Sequence, residues 1–300
     1  MSIPLFSDIG KQVKDLFEKN FYFDSVKLEM KNSLTSIMTY QGSQKYSIKD
    51  GKMIGELEGK YENDGIKFNP KISTESSSVS AELKVERAEF KGVNWIASGS
   101  FNPHDGKKSM TLGLHYKGPE YNFELASLQN DPQLKATGNL FRATGVINLF
   151  GWLFGGQMIL DPGAGKMIKS QVVGGFQDGR CSFFVVCDPQ AKQVSGSVFN
   201  LINPNIQTGL IYTLGGNSHS GGGGGGGQGD KDAQPSLAFC ANYYLNSGAT
   251  VKARINADYM LGLAYILKIK EGISITICTE VDAQKLKQGG HKIGFGIEFS

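Results

Sequence analysis

Apolar and polar residues alternate one by one over most of this chain. Val26, Leu28 and Met30 are separated by Lys27 and Glu29, and Met110, Leu112, Leu114 and Tyr116 by Thr111, Gly113 and His115. Leu237 to Leu245, Val251 to Ala257, Ile273 to Ile277 and Ile293 to Phe299 follow the same rule. A period of two sends alternate side chains to opposite faces of a strand. Each segment therefore predicts a strand with one greasy face and one small or charged face. Turn signals stand between them: Lys49-Asp50-Gly51, Asn63-Asp64-Gly65, Asn102 to Gly106, Asp161-Pro162-Gly163, Gln177-Asp178-Gly179 and Asn246-Ser247-Gly248. Such signals at short intervals favour hairpins in sequence order. The prediction is an all-β, up-and-down topology.

Residues 6–19 break the pattern. Phe6, Ile9, Val13, Leu16 and Phe17 recur at spacings of three and four, with Asp8, Lys11, Lys14, Asp15 and Glu18 on the other face. That spacing predicts an amphipathic helix. Gly10 weakens its interior by roughly 1 kcal/mol relative to alanine and allows a bend there. The helix segment is assigned to residues 1–22 and the β-region to residues 23–300, with a glycine-rich insert at 216–235. Without helix and insert, roughly 260 residues remain, enough for about 17 to 20 tilted strands with short turns. An open sheet of that size is unusual, and an apolar terminal strand needs a neighbour. Alternation alone fits a soluble β-sandwich equally well.

Composition narrows the classes. No run approaches the ~18 apolar residues of a spanning helix; the best, Leu149 to Leu160, contains Gly151, Gly155 and Gly156. Glycine is 40 of 300 residues, about twice its usual share. A net charge of +3 with scattered basic residues argues against nucleic acid. Cys181, Cys187, Cys240 and Cys278 lack metal or disulfide spacing. The four histidines have no spaced partners, so neither an active site, a metal nor a cofactor is expected. The run Gly221 to Gly227 reads as a flexible loop, and neither it nor Gly163-Ala164-Gly165-Lys166-Met167 makes a phosphate loop. The N-terminus predicts neither a secretory signal nor a cleavable presequence.

Several blocks resemble the eukaryotic mitochondrial porins, the voltage-dependent anion channels. They are Pro4 to Lys11 with Asp15-Leu16-Phe17, Gly99 to Pro103, Gly151-Trp152-Leu153 with Gln157-Met158, Gly262-Leu263 with Tyr265, and Gly289 to Lys292. The C-terminus is similar to the sorting signal of those barrels, with Lys292, Gly294, Ile297 and Phe299 in the matching places. The resemblance implies a transmembrane β-barrel of about 19 strands, with the amphipathic helix inside the lumen. It implies a voltage-gated channel of the mitochondrial outer membrane that passes small anionic metabolites such as ATP and ADP. Lys11, Lys14 and Lys19 would be the anion and nucleotide contacts. The expected partners are the lipid bilayer, the permeant anions, and a homo-oligomer or membrane complex.

Charged residues of the polar face, including Lys27, Lys31, His115, Lys117, Lys252, Arg254 and Lys292 against Glu29, Asp258, Glu280 and Glu298, would line that lumen. The same resemblance admits a protein-import pore or a structural subunit of a larger complex. Import pores usually carry a longer N-terminal extension, which favours the metabolite channel. Two departures stand out. Pro70 occupies the place of a membrane-facing carboxylate on the fourth strand, and Gly92-Val93-Asn94 replaces a Gly-Leu-Lys triplet associated with nucleotide contact.

Overall fold

The computed structural model describes residues 3–75, 77–86, 92–131, 138–215, 235–245, 248–286 and 289–300. The chain opens with a single 3-10 turn at Phe6–Asp8 and one helix, α1 (Lys11–Glu18). The expected helix over 6–19 is thus split. Gly10 sits at φ 72, a left-handed conformation that a β-carbon disfavours, and the chain bends there.

Nineteen strands follow among the described residues. They are β1 (Ser25–Thr35), β2 (Met38–Ser47), β3 (Met53–Asn63), β4 (Ile66–Ser73), β5 (Ser78–Glu86) and β6 (Val93–Phe101). Next come β7 (Lys108–Lys117), β8 (Tyr121–Gln129), β9 (Asn139–Leu149), β10 (Trp152–Asp161), β11 (Lys166–Gln177) and β12 (Cys181–Asp188). The last are β13 (Gln193–Asn203), β14 (Ile206–Gly215), β15 (Ser236–Tyr244), β16 (Ala249–Asn256), β17 (Met260–Lys270), β18 (Ile273–Asp282) and β19 (Lys292–Phe299). The glycine-rich insert at 216–235 lies outside the described residues except for Pro235, as do Asn246 and Ser247 of one predicted turn.

Each strand pairs antiparallel with its sequence neighbour, and β1 closes on β19 in parallel, Val26 opposite Phe295 and Met30 opposite Phe299. Parity dictates that last pairing. In an up-and-down order with an odd number of strands, the first and last run in the same direction. Closure leaves the apolar C-terminal strand no free edge.

Alternation assigns each side chain to one face. Charged strand residues fall on the inward face, with Lys108 and Lys270 at strand ends as the exceptions among the described residues. The outward face carries Leu57, Trp95, Leu112, Leu125, Phe141, Phe154, Val172, Phe239, Leu263 and Ile277, all exposed. A water-soluble β-protein does not expose such a continuous apolar belt. A bilayer covers it, and closed strand pairing supplies the hydrogen bonds that lipid cannot, with one gap in the β3–β4 ladder. No helix among the described residues is long and apolar enough to cross a membrane; the strands do so. Lysine at Leu125, midway along β8, is expected to cost about 2–4 kcal/mol of folding free energy in a bilayer. Urea titration of the protein folded into liposomes measures this, and an unchanged midpoint would show that Leu125 does not face lipid.

Pro70 lies on the outward face of β4, opposite Gly59 of β3. The β3–β4 ladder pairs Glu58 with Lys71 and Tyr61 with Phe68, and the two rungs between are missing. Proline has no N–H to donate, so the ladder opens there.

Candidate functional site: the lumen and the segment within it

Residues 3–24 lie inside the barrel and follow its wall from β8 round to β19. Asn122 Nδ2 of β8 donates to the Ile3 carbonyl at 3.3 Å, and Asn122 is itself hydrogen-bonded to the buried His115 of β7. Ile3, Phe6 and Ile9 then pack on Val146, Leu153, Val173 and Phe184 of β9 to β12. Val13, Leu16 and Phe17 of α1 pack on Phe199 of β13 and Cys240 of β15, with Leu201, Ile211 and Ala238 beside them. The amphipathic stripe therefore has a purpose. It covers the part of the lumen wall whose inward side chains are apolar, and its burial holds the helix against water.

Past α1 the docking changes character, because the wall now binds the backbone. Cys240 Sγ donates to the Leu16 carbonyl at 3.3 Å. Arg254 Nη1 of β16 donates to the Phe17 carbonyl at 2.9 Å, and Lys252 Nζ to the Lys19 carbonyl at 2.7 Å. Two cations thus satisfy carbonyls that the helix end leaves without partners and complement its negative pole. The Arg254 guanidinium also sits 4.6 and 4.7 Å from the Phe21 and Phe23 rings, within cation–π range. Its other side reaches Glu280 at 3.2 Å, which pairs with Lys292 at 2.8 Å.

Glycines make room for this segment. A β-carbon at Gly209 would lie 2.8 Å from Leu16, and one at Gly262 3.0 Å from Phe23. One at Gly294 would collide with the Tyr22 carbonyl itself. Tyr22 N–H donates to Cys278 Sγ at 3.1 Å. Burial, and then the Glu29 carboxylate, push the Tyr22 phenol up to about 12. It stays protonated at neutral pH and bonds Asn20 Oδ1 at 3.2 Å.

The opposite side of the lumen stays open. A cavity of about 950 Å³ runs between Leu5 and Ser7 of the segment and a polar wall including Lys67, Glu82, Lys84, Lys117, Glu124 and Arg142. Opposite charges pair along this wall: Lys71 with Glu56 at 3.0 Å, Lys84 with Glu82 at 2.9 Å, Lys67 with Glu62 at 2.6 Å and Arg142 with Glu124 at 2.5 Å. The barrel is narrowed on one side and open with a charged lining on the other.

The three sequence-predicted contact lysines are all exposed on α1 or just past it. Lys11 pairs with Asp8 at 3.3 Å and Lys19 with Asp15 at 2.8 Å. Lys14 has no ion-pair partner among the described residues. Among the expected lumen charges, Lys252 and Arg254 hold the segment, and Glu280 and Lys292 are paired behind Arg254 rather than standing free. Asp258 sits in the β16–β17 turn, not on the wall. Of the C-terminal residues, Lys292 and Gly294 point inward, at Glu280 and Tyr22, while Ile297 and Phe299 point outward. Asn94, of the divergent triplet, faces the lumen 3.5 Å from His115.

A known family fits both the length and the architecture. The profile of the eukaryotic porins matches residues 2–294. The chain belongs to the eukaryotic porin family. The non-selective voltage-gated ion channel VDAC2 of Xenopus laevis is 27% identical to this porin over 299 residues, 98% of each chain. The voltage-dependent anion-selective channel of Drosophila melanogaster is 27% identical over 301 residues, 99% of each. The non-selective voltage-gated ion channel VDAC1 of Homo sapiens is 26% identical over 299 residues, 99% of this chain and 98% of that one. A solved mutant porin of Rh. blastica superposes with a TM-score of 0.50 at 10% identity, over 88% of this chain and 99% of that one; this is a likeness of fold. Family and barrel together make this porin a membrane channel and not an enzyme.

Proposed function

We propose that this porin is a voltage-gated channel of the mitochondrial outer membrane, through which small anionic metabolites such as ATP and ADP diffuse. The observation that carries the reading is the placement of the N-terminal segment. It covers the apolar part of the wall and leaves a charged aqueous path beside it, so it shapes the passage without filling it. Cations at a narrowed aqueous path raise the local anion concentration. We assign Lys11, Lys14 and Lys19, exposed on the segment, as the anion contacts, and Lys14 is the one with no ion-pair partner among the described residues. Voltage sensitivity follows from charge on the segment and wall, since the membrane potential acts with about 2.3 kcal/mol per elementary charge per 100 mV. Lys292, Gly294, Ile297 and Phe299 are proposed as the sorting signal, with the inward pair also serving the docked segment. The bilayer is the constant partner, and a homo-oligomer or membrane complex is consistent with an outer wall that is apolar all round.

The test is reversal potential in a planar bilayer under a salt gradient. The wild-type channel is expected to favour anions, Lys14→Glu to weaken that preference, and Asp15→Asn, which frees Lys19, to strengthen it. A cation-preferring wild type would overturn the proposal in favour of an import pore. A folded, inserted protein that conducts nothing would leave a structural subunit as its role.

A further inference from the structure

We propose that Asn94, His115 and Asn122 form a hydrogen-bonded relay of fixed direction that latches the tip of the N-terminal segment, residues 3–9, to the wall independently of α1. Once unlatched, the tip turns about Gly10 towards the open path while α1 stays docked. Asn94 of β6 stands opposite His115 of β7, and Asn122 of β8 lies diagonally beyond it. His115 and Asn122 are buried polar side chains, so each needs its partners. Asn122 touches the segment, and His115 and Asn94 are positioning residues that act through it.

The far end of the relay sets its direction. The Ile3 carbonyl can only accept, so the Asn122 atom that faces it at 3.3 Å is Nδ2. Asn122 Oδ1 then faces His115, and Nε2 of that ring carries the proton it accepts. In the neutral ring Nδ1 is therefore an acceptor, and Asn94 Nδ2, 3.5 Å away, is the donor that meets it. Glu124, directly opposite His115 on β8, is paired with Arg142. Asn94 thus selects the His115 tautomer that lets Asn122 hold Ile3.

Tip and helix are held by different parts of the wall. Ile3, Phe6 and Ile9 pack against residues of β9 to β12, and Val13, Leu16 and Phe17 against β13 and β15. Between them the chain bends at Gly10. Past Gly10 the backbone is bonded by Cys240, Arg254, Lys252 and Cys278. Among the described residues, the bond from Asn122 is the one that joins the backbone of residues 3–9 to the wall. Apolar packing is non-directional, so this bond is what fixes where the tip sits. Leu5 and Ser7 border the open cavity together with Asn94 and His115. The position of the tip therefore sets the width of the passage there.

The experiment compares His115→Gln with His115→Asn in the full chain in lipid nanodiscs. Glutamine places an amide donor where Nε2 stood, and asparagine places one only where Nδ1 stood. Amide hydrogen exchange is read separately for residues 3–9 and for α1. His115→Gln is expected to keep the wild-type protection of the tip. His115→Asn is expected to speed exchange of the tip about tenfold or more, because buried partners are left unpaired, with α1 unchanged. Asn122→Asp has the same shape but offers the Ile3 carbonyl an acceptor, and it is expected to match His115→Asn. Nitrogen-15 spectra of the four histidines in mildly alkaline buffer, with His115 assigned by its loss in His115→Gln, are expected to show the Nε2–H form, and Asn94→Leu to mix in the Nδ1–H form. In planar bilayers His115→Asn is expected to add a lower conductance level that His115→Gln lacks. Equal exchange in the two His115 variants, tip and α1 loosening together, an Nδ1–H ring in the wild type, or identical conductance levels would each overturn the proposal. The exchange and nitrogen readouts are the same whichever solute the channel passes, so failure here is separate from failure of the anion reading.

Discussion

Arg254→Glu releases the N-terminal segment from an otherwise intact barrel. Arg254 gives one charge-assisted hydrogen bond to the Phe17 carbonyl, one to Glu280, and a cation face to both Phe21 and Phe23. A hydrogen bond from a charged donor contributes about 1.5–3 kcal/mol. Each cation–π contact adds roughly 0.5–1 kcal/mol at such a part-exposed site. Removing one partner of a fully buried pair costs about 3–5 kcal/mol; the Arg254–Glu280 pair is part-buried, and a second carboxylate beside Glu280 adds repulsion. These effects share one side chain and do not sum, so about 3–5 kcal/mol of docking free energy is the expected loss. A tenfold change in an equilibrium is 1.4 kcal/mol, so the docked fraction falls by two orders of magnitude or more. Trypsin cleavage after Lys11, Lys14 and Lys19 measures the release, with the β-sheet circular dichroism unchanged. Arg254→Lys keeps the charge without the planar fork and should fall between. Continued protection of those lysines in Arg254→Glu would mean that the apolar stripe of α1 holds the segment unaided.

Much of the barrel was legible in the sequence because membrane strands alternate over their whole length. Val26 to Met30, Met110 to Tyr116 and Ile293 to Phe299 each fall within an observed strand. The helix was legible too, down to the bend at Gly10. The ion pairs of Lys11 and Lys19 could also have been read, since Asp8 and Asp15 stand three and four residues before them on one helix face. What local pattern could not give is where the segment lies. Nothing near Phe199, Ile211 or Cys240 marks their wall as the one that receives α1, because that is a property of inward residues on strands far apart in sequence. For the same reason, Lys252 and Arg254 read as ordinary lumen charges. Their partners are the carbonyls of Lys19 and Phe17, more than two hundred residues away. The small face of β19 was visible as a pattern, but its cause is the Tyr22 backbone, which only the closed barrel brings there.

Gly294→Val separates the two jobs that this position carries. A side chain here meets the Tyr22 carbonyl and Cys278 Sγ at once. A carbonyl in the backbone just ahead of β1 cannot turn aside, because Ser25 Oγ bonds that same oxygen at 2.9 Å and the Ser25 N–H at 3.1 Å. Overpacking that has to move backbone lies at or beyond the upper end of the usual 1–3 kcal/mol, so about 3 kcal/mol or more of docking is expected to be lost. Gly296→Val is the matched control. Its β-carbon would press on the Tyr22 ring, at 2.6 Å, with Thr276 Cβ in ordinary contact at 3.6 Å, and a ring at the end of a side chain can turn away at lower cost. Protein refolded from the purified chain undergoes no sorting, so any difference between the two variants in trypsin protection of Lys11 to Lys19 reports docking alone. Equal protection in both would place the need for glycine at 294 in sorting and not in the lumen. A large loss in Gly294→Val with a small one in Gly296→Val would mean that the C-terminal strand keeps a glycine here because the chain's own N-terminal backbone rests on it.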